Sequence, residues 1–188
     1  MVLSFFPDKK NRPAAAPAGP EKLSDKAAAL VRPKSIAISN ILSEDVVIRA
    51  PLGVGKNELI EILVGRLCER KALGSPKPFL AKVLEREQGI STTLDTGLSL
   101  PHARVDSIGS IVAALALVPQ GIADPKAGDL TIKLMFLFFS SSKPEILPLH
   151  LQLLRGVSSL FQPRVIVDLA GAPDPAAALA IIRAVETR

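Results

Sequence analysis

Tryptophan and tyrosine are absent from this 188-residue chain, whose aromatic side chains apart from its two histidines are seven phenylalanines. A core must therefore be built mainly from Leu, Ile, Val and Ala. The single cysteine, Cys68, excludes an intramolecular disulfide framework and any multi-cysteine metal site. It fits a reducing compartment and reads as a small buried hydrophobe beside Val64 and Leu67. No run reaches the roughly 20 apolar residues that a membrane-spanning helix needs; the longest, 111–118 and 134–139, are of strand length. Residues 1–6 are mostly apolar, yet too short for a signal h-region, and charge follows them rather than preceding them. The expectation is a soluble, cytoplasmic protein without membrane insertion.

The formal charge of +5 is unevenly placed. Residues 1–36 hold seven cations and three anions, so +4 lies there and only +1 in the remainder. With five prolines and no interleaved aromatics, residues 1–34 read as a solvated, disordered Pro/Ala-rich leader rather than a nucleic-acid-binding arm. Within it, 23–31 is the one stretch that could form a short helix, without a wide apolar face.

From Ile36 the pattern changes to that of a folded domain, 35–188, with 48% hydrophobic and 22% charged residues in the whole chain. Residues 46–49 have strand character and Pro51-Leu52-Gly53 reads as a turn. Asn57 is placed to cap a helix whose apolar residues Ile60, Leu63, Val64, Leu67 and Cys68 recur at helical spacing, with Gly74 as its stop. Ser75-Pro76 opens a second helix to about Gln88, with Leu80, Val83 and Leu84 inward. Segments 97–101, 111–118 and 130–139 are strand-length, and the unbroken apolar runs imply strands buried on both faces. Helical spacing returns at Leu149, Leu153, Leu154, Val157 and Leu160, and Asp174-Pro175 caps a terminal helix. The fold class is α/β: one mixed sheet covered by helices on both faces.

Gly53-Val54-Gly55-Lys56 imitates a phosphate-binding loop. That loop needs a glycine where Ala50 stands and Ser or Thr where Asn57 stands, so both ends fail. The only histidines are His102 and His150. His102 follows Leu98, Leu100 and Pro101, where a strand runs out and proline fixes the backbone. A neutral imidazole there can attack phosphorus and leave again. Arg86, Ser91, Thr92, Thr96 and Arg104 lie close in sequence as cationic or hydroxyl donors for a transferring phosphoryl group. Taken alone, the pattern also suits a structural histidine, and His150 one hydrogen bond at a core boundary. Zinc wants about four ligands, so no metal site is expected.

The segment from Arg86-Glu87 through Ser91-Thr92-Thr93 to Leu100-Pro101-His102-Ala103-Arg104 resembles the active-site stretch of the phosphotransferase-system EIIA type-2 domains. These are the fructose/mannitol IIA components and the nitrogen-regulatory IIA proteins. A buried strand, a Ser-rich loop and His150-Leu151 opening a helix match a second landmark. The resemblance implies a compact α/β domain that takes a phosphoryl group from phospho-HPr and passes it to a IIB component, with no cofactor. It implies His102 as the phosphorylated nucleophile, His150 as the second active-site histidine and Arg86 as the active-site cation. Thr93 and Asp95 stand where this family usually has glycines, and Thr96 where Asn is common. Asp95 would repel an incoming anion if it faced His102; pairing with Arg86 or Arg104 is the expected arrangement. Three roles compete: a relay protein for sugar uptake, a nitrogen-regulatory module whose phosphorylation controls binding of a regulatory protein, and a degenerate scaffold.

Overall fold

A computed structural model describes residues 36–187 of the chain. The leader, 1–34, and the helix considered at 23–31 lie outside the described residues. The element order is α1 (Ile38–Ile41), β1 (Val47–Arg49), α2 (Lys56–Arg70), α3 (Pro76–Glu87), β2 (Leu98–Ser99), β3 (His102–Val105), β4 (Val112–Ala123), β5 (Thr131–Ser141), α4 (Leu147–Leu160), α5 (Pro163–Ala170) and α6 (Pro175–Glu186). Short 3-10 turns precede β1 and α4.

β5 is the organising strand. It runs antiparallel to β4, from Val112↔Phe139 to Ala123↔Thr131, and parallel to β2 and β3 on its other side. β1 lies outside β4, parallel to it. The apolar runs are buried over most of their length: Ala113–Val118 and Leu134–Phe139 are at most 3% exposed, and Ile111 and Val112 are half-buried. That degree of burial needs cover on both faces, and alternation along β5 shows what supplies it. Phe139 packs edge-on against Phe79 of α3, ring centroids 5.0 Å apart. Phe136 points the other way, onto Phe161 at the end of α4. The mixed sheet is thus sandwiched between helices, as its apolar runs imply.

Between Leu117 and Ile122 the β4 register slips in a bulge. Gly121 sits there at φ +74°, where a Cβ would collide with Thr131 Cγ2, so only glycine fits. At the domain's two ends, the Glu186 carboxylate accepts from the Ile38 and Ser39 N–H groups and from Ser39 Oγ. It thereby satisfies donors that open α1.

Several local expectations change. α2 starts at Lys56, one residue before Asn57, with Gly55 extended ahead of it at the cap position and no side-chain cap. Glycine serves this position within a few tenths of a kcal/mol of asparagine, and the earlier start places Lys56 inside the first turn. α2 also ends before Gly74: Ala72 adopts φ 51° and Leu73 N–H donates to Cys68 O at 3.0 Å, a Schellman-type closure. Ser75 holds the cap position of α3 without a side-chain bond, and Pro78 at the third helical position has no N–H to offer it. Asp174 does cap α6, accepting from Ala177 N–H at 2.8 Å. α5, opened by Pro163, is a helix that apolar spacing alone does not announce.

Candidate functional site

Pro101 has no N–H for the sheet ladder, so β2 stops at Ser99 and β3 resumes at His102. His102 therefore opens a strand rather than ending one. Its partner in the parallel register is Phe138. Partners in a ladder share a face, and the two rings stack at 5.2 Å with an interplanar angle of 10°. His150, from the first turns of α4, closes the group: its centroid lies 5.4 Å from His102 and 5.2 Å from Phe138. The two histidines, 48 positions apart in sequence (150 − 102), come together because β5 delivers the chain from β3's flank to α4.

His102 Nδ1 lies 2.7 Å from Leu100 O. A carbonyl only accepts, so Nδ1 carries the ring proton and Nε2 keeps the lone pair. Burial lowers the His102 pKa; the Leu100 bond works against that, and the Arg86 charge adds to it. His150 is 5% exposed and pushed down to about 4, by burial first and then by His102 and Arg104. Both rings are neutral at neutral pH, as a nucleophile must be.

A cavity of about 550 Å³ opens over these rings, lined by Lys82, Glu85, Arg86, Gly89, His102 and Arg104 with His150. Arg86, in the last turn of α3, is exposed and donates to Ile90 O at 3.1 Å. Arg104 donates to the carbonyls of Ser142 at 2.8 Å and Lys143 at 3.0 Å, which fixes its guanidinium beside the start of α4. Four expected residues, His102, His150, Arg86 and Arg104, therefore meet at one cavity.

The expected hydroxyls go elsewhere. Ser91 Oγ donates to Asp124 Oδ2 at 2.6 Å and Thr92 Oγ1 to Glu87 Oε1 at 2.5 Å, while Thr96 Oγ1 accepts from Leu98 N–H. None of the three lines the histidine cavity. Asp95 is exposed and makes no ion pair with Arg86 or Arg104, both engaged as above, so the expected pairing is not formed.

Ser91 and Thr92 belong to a second cluster, which apolar periodicity and motif matching missed. Lys56 Nζ lies 2.7 Å from both Glu87 Oε2 and Asp124 Oδ2, with the three side chains at most 6% exposed. Thr93 Oγ1 adds a bond to Asp124 at 2.5 Å, and Lys126 Nζ accepts nothing but donates to Glu87 O and Gln88 O. Burial raises the Asp124 pKa, yet the bonds from Lys56, Ser91, Thr93 and Lys126 N–H outweigh it and hold the carboxyl well below the usual range. The lysine of the false phosphate-loop pattern is thus engaged by carboxylates. Among the described residues no group of three or more His, Cys, Asp or Glu is arranged to hold a metal ion.

Residues 40–185 match the model of the family described as phosphoenolpyruvate-dependent sugar phosphotransferase system, EIIA 2. The chain belongs to this family. Its fold is that of solved EIIA structures. The nitrogen regulatory protein IIA-Ntr from Neisseria meningitidis superposes with a TM-score of 0.68 at 20% identity, over 77% of this chain and 98% of that one. Mannitol IIA from Escherichia coli gives 0.63 at 19% identity, over 75% and 98%. The IIA of the Escherichia coli complex with phosphorylated mannitol IIB gives 0.64 at 17%, over 76% and 97%. No curated protein sequence matches the chain closely. As an EIIA domain it has, among the described residues, no helix long and apolar enough to cross a membrane.

Proposed function

We propose that this EIIA domain is a phosphohistidine carrier that receives a phosphoryl group on His102 Nε2 from phospho-HPr and passes it to a IIB component. The observation that carries the reading is the Nδ1–Leu100 bond, which leaves Nε2 as the nucleophilic nitrogen on a neutral ring. The Nε2 lone pair forms the new bond to phosphorus as the bond to the donor atom breaks, that electron pair leaving with the donor. The Nδ1 proton stays shared with Leu100 O, and the return step reverses the exchange. Arg86 and Arg104, at the cavity rim, offset the charge of the transferring group. Phe138 under the ring and the Pro101 break beside it hold the imidazole in place, which lowers the ordering needed at transfer.

The test is incubation with enzyme I, HPr and phosphoenolpyruvate, followed by mass spectrometry of the intact chain. Wild type should gain one acid-labile, base-stable phosphate, and His102→Ala none. Label on His102→Ala would remove the assignment. Onward transfer to a IIB component separates a sugar relay from a nitrogen-regulatory module, in which phosphorylated chain would accumulate and alter binding of a regulatory protein instead.

A further inference from the structure

Along β5, residues on one face recur every second position, so Ser140 follows Phe136 and Phe138 toward α4. Ser140 is fully buried, and its Oγ lies 2.7 Å from His150 Nδ1. Two arrangements satisfy that distance. Either the hydroxyl donates to a bare Nδ1, or Nδ1–H donates to the hydroxyl oxygen. The second would leave the serine proton without an acceptor, because His150 Nδ1 is the one partner of Ser140 Oγ among the described residues. A buried donor left unmade is costly, whereas the first arrangement leaves unused only oxygen lone pairs. A neutral His150 has a single ring proton, which the first arrangement places on Nε2.

We propose that Ser140 is a positioning residue that holds His150 in its Nε2–H tautomer, so that the ring offers a donor to the phosphoryl group on His102. The inference rests on the phosphocarrier reading given above. The two histidines then carry opposite tautomers: His102 has its proton inward on Nδ1 and a lone pair outward, His150 the reverse. With His150 in the other tautomer, its bare Nε2 would turn a lone pair toward the anionic oxygens of the phosphoryl group and repel them. No proton leaves His150 in the transfer; its N–H only shortens toward the phosphoryl oxygen as charge arrives. Arg104, paired with Ser140 in the β3–β5 register, brings a charge near enough to His150 to disfavour a second proton on its ring. Sequence reading alone does not find Ser140, which looks like the last residue of an apolar strand.

Long-range proton–nitrogen correlation spectra of the full ¹⁵N-labelled chain near neutral pH read both tautomers without any substitution. His150 should show a protonated Nε2 and a bare Nδ1, and His102 the opposite. His150 in the Nδ1–H form would overturn the proposal. Ser140→Ala should convert His150 to a mixture of tautomers and slow phosphoryl uptake roughly tenfold at saturating phospho-HPr, and Ser140→Thr, which keeps the hydroxyl, should restore both readings. A Ser140→Ala chain that keeps a pure Nε2–H His150 would also overturn it. Should Ser140→Ala fail to fold, the wild-type spectrum still decides the tautomer. A chain with the expected tautomers that takes up no phosphate would remove the carrier reading while leaving Ser140 as the group that sets His150.

Discussion

The segment 86–104 feeds two clusters of ionisable side chains that differ in almost every physical respect. The histidine pair lies beneath an open cavity, both rings neutral, with arginines at the rim and no partner for His102 Nε2 among the described residues. The Lys56–Glu87–Asp124 cluster has its side chains buried, paired with one another and tied by Ser91, Thr92 and Thr93. Adjacent residues part company: Arg86 goes to the cavity and Glu87 to the buried cluster. Reactivity needs a group whose bonding is incomplete, and stability needs groups whose bonding is closed. One short segment supplies both by alternating direction at the end of α3. The cluster also anchors loop 88–97 to α2 and to the β4–β5 turn.

Breaking the closed cluster should give the largest effect. Lys56→Met leaves two buried carboxylates facing each other, and removal of one partner of a buried pair costs about 3–5 kcal/mol. Urea unfolding should show a loss of that size, and adding Asp124→Asn to Lys56→Met should recover part of it, because one uncompensated charge goes. A loss below about 1 kcal/mol would mean that water reaches the cluster and that the contrast between the two sites is weaker than drawn.

The open site should reveal itself through acid. The His150 pKa in the folded chain, about 4, lies below the ordinary 6.5. Between those values the unfolded chain binds a proton that the folded chain refuses. Stability is therefore full above pH 6.5 and is lost as pH falls toward 4, by up to about 3 kcal/mol. His150→Gln has no such proton, so its stability should fall less over that window than that of wild type. The difference between the two pH profiles is the quantity to measure. Parallel profiles would show that His150 is solvated and protonates freely, contrary to its 5% exposure.

How much of this was legible follows from how far each feature reaches in sequence. β4 and β5 are readable because burial on both faces makes their residues apolar without alternation, and α2 because its inward residues fall at helical spacing. The strand β3 is not readable: it is four residues long and begins with His102, and only its pairing with β5 makes it a strand. At the site, the Pro-His motif and the histidine opening α4 point to both rings. The direction of the neighbouring hydroxyls is invisible, since Ser91 and Thr92 follow carboxylates at 124 and 87 that no local pattern connects to them. Ser140 and Lys56 act across 10 and 68 residues respectively, to His150 and Asp124, through the assembled sheet.

Asp95 sharpens the comparison from the other side, since it belongs to the same segment and to neither cluster. It occupies the turn closed by Gly97 N–H to Leu94 O at 3.0 Å, with its side chain exposed. A solvated carboxylate outside the cavity acts on His102 through water, where a unit charge is strongly weakened and salt screens it beyond about 10 Å. The change Asp95→Asn removes the charge and keeps the turn-forming side chain. Phosphoryl uptake from phospho-HPr should then change by less than about twofold, or about 0.4 kcal/mol of barrier, and the urea midpoint should hardly move. An increase of tenfold or more would show that Asp95 swings toward His102 in solution and restrains it, which would make this residue part of the open site and the chain a slow carrier by construction.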